Sequence, residues 1–149
     1  MNIKFSKISE EHRQELLKMM TEFYSSDAVS TNGSVEIFEK DIEECISNSP
    51  FLEGFILCAN EEIAGYSMLA HSFSTEFGKH CVLIEDIFIK KEYRHKGIST
   101  KFLKYLDEQY PTAYFKLEVE EYNKNAINAY IKNGFKKLPY TEMFKNNNV

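Results

Sequence analysis

The sequence predicts an α/β fold in which four helices flank one mixed, mostly antiparallel sheet of six or seven strands. Short apolar runs of strand length alternate with segments of helical period. Polar or glycine-bearing connections separate these segments, and no repeat, low-complexity tract or linker interrupts them. Residues 1–149 are therefore predicted to form a single domain with the element order β-α-α-β-β-β-α-β-α-β-β.

The first third of the chain predicts one strand followed by two helices. Ile3 and Phe5 alternate with polar neighbours, as in a half-buried strand. Ser9 is a typical cap for a helix whose apolar residues recur at helical spacing. A polar loop at residues 24–33 separates that helix from a second one at residues 34–47.

The remainder predicts six strands and two helices. A helix begins after Gly97 and ends before Pro111, and another is stopped by Asn133 and Gly134, a typical left-handed ending. The strands are predicted at residues 54–59, 63–72, 81–89, 113–119, 135–138 and 143–145, and the last helix at residues 125–132.

Composition excludes several classes of function. A formal net charge of −5 argues against a nucleic-acid binder, which needs a basic face. No apolar run approaches the roughly 18 residues of a membrane span. The three cysteines are isolated and odd in number, which predicts thiols in a reducing cytoplasm. The four histidines are scattered along the chain, so neither a cluster of histidines nor a metal site is expected.

The segment from Arg94 to Ser99, RHKGIS, predicts an anion-binding turn. It lies between an apolar strand and a helix, and the first N–H groups of a helix have no internal partner and carry partial positive charge. Gly97 lets the backbone adopt a positive φ and approach a ligand closely. Three basic residues add charge beside these amides. The turn is therefore suited to a phosphate or pyrophosphate.

The identity of that phosphate is indicated by a resemblance. The chain has neither a P-loop sequence nor the three glycines of a Rossmann fingerprint. It does have a strand, then Arg-x-x-Gly-x-Ser, then a helix, and further on Asn123, Ala126, Tyr130 and Gly134-Phe135 at regular spacing. These two blocks resemble the acyl-CoA-binding motifs of the GCN5-related N-acetyltransferases. Ser99 stands where the family has Gly or Ala, and its hydroxyl either donates to a phosphate or is merely tolerated.

The resemblance implies the acetyltransferase fold, acetyl-CoA as the cofactor, and a set of residues that hold it. The amides from Lys96 to Thr100 would bind the pyrophosphate. The strand before the loop would bulge, splay from its neighbour and pair with the pantetheine arm, while Asn123 would bind the lower part of that arm. The implied cofactor-binding residues are Ile87, Phe88, Ile89, Arg94, His95, Lys96, Gly97, Ile98, Ser99, Thr100, Asn123, Asn125 and Tyr130.

Two residues are candidates for acid–base chemistry. Tyr130 matches the family's acid, and an unperturbed pKa near ~10 suits donation to a thiolate; alternatively, it belongs to an apolar helical stripe. Glu85 and Asp86 interrupt an apolar strand that is similar to one in the spermidine/spermine and diamine N-acetyltransferases. By that similarity Glu85 would be the general base and Asp86 a substrate carboxylate. The alternative for both is a salt bridge that orders the strand.

The function implied is acetyl transfer from acetyl-CoA to the primary amine of a small molecule, such as a polyamine or diamine. The loop between the first two helices would cover the acceptor, so Tyr24, Asp27, Glu85 and Asp86 are the predicted substrate-binding residues. Two alternatives stay open: acetylation of a protein or peptide, and acyl-CoA binding without turnover. A homodimer, common among relatives, is also expected.

Overall fold

A computed structural model describes residues 1–147 and contains a five-stranded sheet in the order β1-β2-β3-β4-β5. The strands are β1 (Ile3–Lys7), β2 (Leu52–Ala59), β3 (Glu62–Ser74), β4 (Lys79–Ile89) and β5 (Tyr114–Leu117). The helices are α1 (Arg13–Tyr24), α2 (Val35–Ile46), α3 (Ile98–Gln109) and α4 (Lys124–Lys132). The first four strands pair antiparallel, and β5 pairs parallel to β4. The predicted α/β class with a mixed, mostly antiparallel sheet is confirmed.

The helices cover both faces of the sheet and create two apolar cores. The core under α1 and α2 contains Leu16, Met19, Met20, Phe38, Ile42, Ile56, Tyr66, Met68 and Phe88. The core under α3 contains Phe55, Leu57, Leu69, Val82, Ile84, Phe102 and Leu106. Because β4 contributes to both cores, the side-chain direction at each of its positions decides which face of the molecule that residue serves.

Polar residues fix the helix starts and join the first two helices. The helix predicted from Ser9 begins with a 3-10 turn at Glu10–His12, and the Ser34 side chain accepts a 3.3 Å hydrogen bond from the Ile37 N–H at the start of α2. The Arg13 guanidinium forms ion pairs with Glu10 in the 3-10 turn before α1 and with Glu39 and Glu43 on α2. None of the helices among residues 1–147 is long and apolar enough to cross a membrane.

The prediction of six or seven strands is wrong, because residues 135–138 and 143–145 form no strand. Phe135 packs against Tyr130 of α4, and among the described residues no strand pairs with the outer edge of β5. The residues that follow are exposed, including Leu138, Met143 and Phe144. A strand needs a hydrogen-bonded neighbour, and apolar alternation alone did not provide one here.

Gly65 has no space for a side chain, so replacing it with Ala should destabilise the protein. A Cβ at position 65 would lie 2.1 Å from the carbonyl oxygen of Phe88 on the neighbouring strand. To avoid this clash, β3 and β4 must move apart at this point and weaken their hydrogen bonds. We therefore expect the free energy of unfolding to fall by about 2–3 kcal/mol. Urea denaturation followed by circular dichroism measures this change.

The matched control is Ser72→Ala, which alters an exposed position on the same strand. Its free energy of unfolding should stay within about 0.5 kcal/mol of the wild-type value. Equal stabilities for the two variants would show that the backbone contact at Gly65 carries no energetic weight.

Candidate active site

A β-bulge in β4 separates the two adjacent carboxylates. Met68 pairs with Asp86 and Leu69 with Ile84, so Glu85 is an extra residue without a partner on β3. Ile84 belongs to the core under α3, whereas Asp86 lies with Phe88 on the side of α1 and α2. The bulge therefore leaves Glu85 exposed while it buries Asp86 to 3% exposure.

A cleft opens beside this bulge because β4 and β5 pair over only part of their length. The parallel pairing runs from Cys81 opposite Tyr114 to Ile84 opposite Leu117, where β5 ends while β4 continues to Ile89. The cleft has a volume of about 1180 Å³. Its walls come from α1, the loop before α2, β4, β5 and α4, and they include Phe23, Tyr24, Glu85, Leu117, Glu118 and Tyr130.

The loop before α3 has the geometry of an anion site. Gly97 caps α3 with φ of +78°, and His95 adopts a φ of +61°. The first helical hydrogen bond joins the Lys101 N–H to the Gly97 carbonyl at 3.0 Å, so the N–H groups of Ile98, Ser99 and Thr100 precede the helical ladder. Apart from Gly97 and its two neighbours in the chain, no described residue has an atom within 4 Å of the position that a Cβ on Gly97 would take, which leaves room for a ligand.

The basic side chains of this loop stabilise the loop itself. The Arg94 Nε donates to the carbonyl of Ile89 at 2.8 Å, and its guanidinium lies 5.7 Å from the Phe88 ring centre. The Lys96 Nζ donates to the carbonyl of Glu92 at 2.9 Å. Both side chains are on exposed residues, so their charge remains available to an anion at the start of α3.

The structure brings Glu85 and Tyr130 into one cleft. Glu85 reaches it from the bulge, and Tyr130 reaches it from α4, where its ring packs 5.8 Å from that of Phe135. Burial raises the pKa of the Tyr130 hydroxyl above 10, which keeps it protonated at neutral pH. Partial desolvation of its carboxylate, followed by the charge of Asp86, raises the pKa of Glu85 above its usual range. A proton donor and a proton acceptor therefore face the same space.

Asp86 is held by two tyrosines. The Tyr24 hydroxyl donates to Oδ1 and the Tyr66 hydroxyl to Oδ2, each at 2.8 Å. The Ser67 hydroxyl donates to the backbone carbonyl of Asp86 at 2.7 Å, which fixes the strand beside the bulge. Burial raises the pKa of Asp86, and the two tyrosine donors oppose that rise. Of this cluster only Tyr24 lines the cleft.

Asp41 and Tyr66 are part of this neighbourhood and were missed in the sequence. Burial and the charges of Asp86 and Glu85 raise the pKa of Asp41 to about 6. Its position three residues after Phe38 and one before Ile42 places it on the core-facing side of α2, a spacing that the sequence does contain. Tyr66 lies in an apolar strand, and nothing in the sequence around it indicates a hydrogen bond to Asp86.

Three other predicted residues lie outside this cleft. Asp27, Asn123 and Asn125 line a smaller pocket of about 290 Å³ between the loop after α1 and the start of α4. The Asn123 Oδ1 accepts a 3.3 Å hydrogen bond from the Ala126 N–H and so caps α4. Asp27 is therefore not brought into the cavity that holds Glu85 and Tyr130.

The expectation that the histidines do not cluster is wrong for one pair. The His71 Nδ1 lies 2.8 Å from the His80 Nε2, and the His71 Nε2 lies 3.1 Å from Glu53. The hairpin between β3 and β4 causes this, because His80 pairs with Phe73, two residues from His71. The partners use opposite ring nitrogens, which makes a hydrogen-bonded chain. Within residues 1–147 no group of three or more His, Cys, Asp or Glu side chains is arranged to hold a metal.

Comparisons with known proteins agree on one family and one fold. The model of the acetyltransferase (GNAT) family matches residues 14–135. A thialysine N-epsilon-acetyltransferase from Caenorhabditis elegans is 28% identical over 134 residues, which cover 87% of this chain and 80% of that protein. The Mus musculus protein of the same name is 35% identical over 71 residues, or 46% of this chain and 41% of that protein.

Solved structures share the whole fold at low identity. A possible acetyltransferase from Clostridium difficile 630 matches with a TM-score of 0.80 and 15% identity, covering 99% of this chain and 98% of that one. The structure of AAC(6')-Iy in complex with a CoA bisubstrate analogue matches with a TM-score of 0.79 and 12% identity, covering 98% and 99%. The family match spans the bulge of β4, the loop before α3, and α4.

Proposed function

The chain belongs to the GNAT acetyltransferase family, and on that premise we propose that it transfers the acetyl group of acetyl-CoA to the primary amine of a small molecule. The observation that carries this proposal is that Glu85 and Tyr130 line one cleft. That cleft lies where β4 and β5 diverge.

The residues around the loop fit the coenzyme. The N–H groups of Ile98, Ser99 and Thr100 and the open space above Gly97 suit a pyrophosphate at the start of a helix. Beyond Ile84, β4 has no partner on the β5 side, which suits an extended amide-containing arm. We assign the pantetheine contact to residues 87–89 and place Asn123 and Asn125 near the lower end of that arm.

The chemistry requires three proton transfers. An ammonium has no lone pair, so Glu85 removes a first proton from the acceptor. The amine nitrogen then forms a bond to the thioester carbonyl carbon, the carbon–sulfur bond breaks, and Tyr130 protonates the departing sulfur. The second proton leaves the nitrogen and restores the Tyr130 hydroxyl, so the products are the amide and the free thiol. We assign stabilisation of the developing oxyanion to a backbone N–H of residues 87–89.

A cationic acceptor is supported by the acids on this side of the cleft. Glu85 lines the cleft directly. The charge of Asp86 raises the pKa of Glu85, and the charges of Asp86 and Glu85 raise the pKa of Asp41, so the three carboxylates lie near one another. Relatives named thialysine N-epsilon-acetyltransferase suggest a flexible diamine-like acceptor. We therefore propose thialysine, a diamine or a polyamine, with Tyr24 among the contacts and Asp27 at the outer edge.

A panel of amines tests this proposal. Purified protein receives acetyl-CoA with thialysine, putrescine, spermidine, butylamine or a peptide with a free N-terminus, and release of free thiol is followed. We expect turnover with thialysine or with the diamines and polyamines, and weaker turnover with butylamine, which has one charge. Turnover confined to the peptide would overturn the small-molecule acceptor.

Peptide acetylation is the second candidate, and one observation favours it. Glu118, Glu120 and Glu121 line the same cleft and offer negative charge to a basic peptide. The panel separates the two candidates through the peptide arm. Tight binding of acetyl-CoA in calorimetry with no thiol release from any acceptor would favour a non-catalytic sensor instead.

We also propose that the protein is a homodimer in the cytoplasm. The outer edge of β5 has no strand neighbour among the described residues, and Tyr140, Met143 and Phe144 are exposed near the end of the chain. The three cysteines are free thiols, as suits a reducing compartment. Light scattering coupled to size-exclusion chromatography tests the dimer, and a monomeric mass at micromolar concentration would overturn it.

A further inference from the structure

We propose that Asp86 acts on the acceptor amine through Tyr24, as a positioning residue that makes the phenolic oxygen of Tyr24 a hydrogen-bond acceptor for the amine. This inference rests on the proposed function and assigns one part of its acceptor site. It differs from the direct contact between Asp86 and substrate that the sequence predicts.

The burial of Asp86 favours the indirect role. Its residue is 3% exposed, and both carboxylate oxygens already receive a tyrosine hydroxyl at 2.8 Å. The cleft is lined by Tyr24 and Glu85 on this side, and Asp86 is not part of its wall. An amine in the cleft therefore meets Tyr24 before it meets Asp86.

The hydrogen bond from Tyr24 determines what that residue offers to a ligand. A phenol has one proton and two lone pairs, and the Tyr24 proton is donated to Asp86. Burial and the charges of Asp86, Asp41 and Glu85 raise the pKa of Tyr24, so this proton stays on the oxygen. A ligand that reaches the Tyr24 oxygen from the cleft therefore meets only lone pairs, which favour an N–H donor such as an amine over a ligand that must accept a hydrogen bond.

Neighbouring contacts keep this arrangement rigid. The Tyr24 ring packs 5.2 Å from that of Phe23 and 5.3 Å from that of Phe38. Tyr66, which is fully buried, holds the second oxygen of Asp86. Tyr66 therefore holds Asp86 in place, Asp86 orients the Tyr24 hydroxyl, and Tyr24 contacts the acceptor.

A double-mutant cycle tests the indirect role. Tyr24→Phe and Asp86→Asn should each raise KM for thialysine about tenfold, because each removes or disorders a hydrogen bond to a charged ligand. If Asp86 acts through Tyr24, the double variant should show little more than the Tyr24→Phe effect alone, with less than about a twofold further increase. The Kd for acetyl-CoA, which a general loss of structure would change, should stay within about twofold of wild type. Putrescine is run in parallel.

Asp41→Asn is the matched control. This substitution removes a carboxylate that is close to Asp86, since the charge of Asp86 raises the pKa of Asp41. Unlike Asp86, Asp41 makes no hydrogen bond to Tyr24. Its effect on KM should therefore multiply with that of Tyr24→Phe. If Asp86→Asn also multiplies with Tyr24→Phe, Asp86 contacts the acceptor or acts by charge alone, and the inference is overturned.

A second cycle leaves Asp86 in place in case its replacement prevents folding. Tyr66→Phe removes only the donor to Oδ2, and it should raise KM about threefold in the wild type and hardly at all in Tyr24→Phe. A wild-type enzyme that acetylates no amine in the panel overturns the proposed function and this inference together. An active enzyme with independent effects in both cycles overturns only the inference.

Discussion

Replacing Tyr130 with Phe is expected to lower kcat by about 10²- to 10³-fold with thialysine as acceptor. Tyr130 lines the same cleft as Glu85, and among the described residues its hydroxyl makes no hydrogen bond that would commit its proton elsewhere. Burial raises its pKa above 10, so it remains protonated and able to donate at neutral pH. Without it, the departing sulfur leaves as a thiolate or takes its proton from water.

The same substitution should leave the ground state almost unchanged. The ring of Tyr130 packs against Phe135, and Phe at position 130 keeps that contact. We expect the Kd for acetyl-CoA to change less than about threefold, since no hydrogen bond within the protein is lost. Stopped-flow detection of free thiol measures kcat, and calorimetry measures Kd.

Tyr105→Phe is the matched control for Tyr130→Phe. The Tyr105 ring packs on Phe5 and Phe55 in the core under α3, away from the cleft. Its removal tests whether loss of any tyrosine hydroxyl slows the enzyme, and kcat should be unaltered. An unaltered kcat in Tyr130→Phe as well would remove Tyr130 from the mechanism and support the alternative that it serves only the apolar stripe of α4.

The order of elements and the loop before α3 could be predicted because each depends on neighbouring residues. Residues 94–99 form a contiguous motif, and a strand, a glycine and a helix follow one another in the chain. Residues 135–138 mark the limit of this reasoning. Their pattern is that of a strand, but a strand also requires hydrogen bonds to a neighbouring strand, and among the described residues β5 pairs only with β4.

The acid cluster depended on contacts between distant segments and was predicted only in part. Glu85 and Asp86 are adjacent, so they stood out in an apolar strand, but the register shift opposite Met68 decides which of them enters the cleft. Asp41 joins them through the packing of α2, 45 residues away from Asp86 in the chain. Pattern analysis detects the helical face that carries Asp41, yet it does not reveal which strand that face meets.

Replacing Glu85 with Gln is the second change with a large expected effect. It should lower kcat/KM for thialysine at pH 7.4 by about 10- to 100-fold, a typical contribution of a general base at its lower end. A primary amine with a pKa near ~10.4 is almost entirely an ammonium at that pH, so the enzyme must remove a proton before attack. Gln has similar volume and polarity but does not accept that proton.

The pH dependence distinguishes a base from a salt bridge. Partial desolvation and the charge of Asp86 raise the pKa of Glu85, so in the wild type the acid limb of kcat/KM should lie above pH 4.5, with full activity once Glu85 is ionised. In Glu85→Gln that limb should disappear, and kcat/KM should instead rise about tenfold per pH unit towards pH 9, because the fraction of neutral amine in solution now limits the rate.

Glu121→Gln provides the comparison, since Glu121 lines the same cleft from beyond β5 and is exposed. This substitution removes one negative charge from the cleft but keeps the Glu85 carboxylate. The pH dependence of kcat/KM should therefore be that of the wild type. A purely structural Glu85 would give a different result. Glu85→Gln would then lower the free energy of unfolding while its profile kept the acid limb, because the base would lie elsewhere in the cleft.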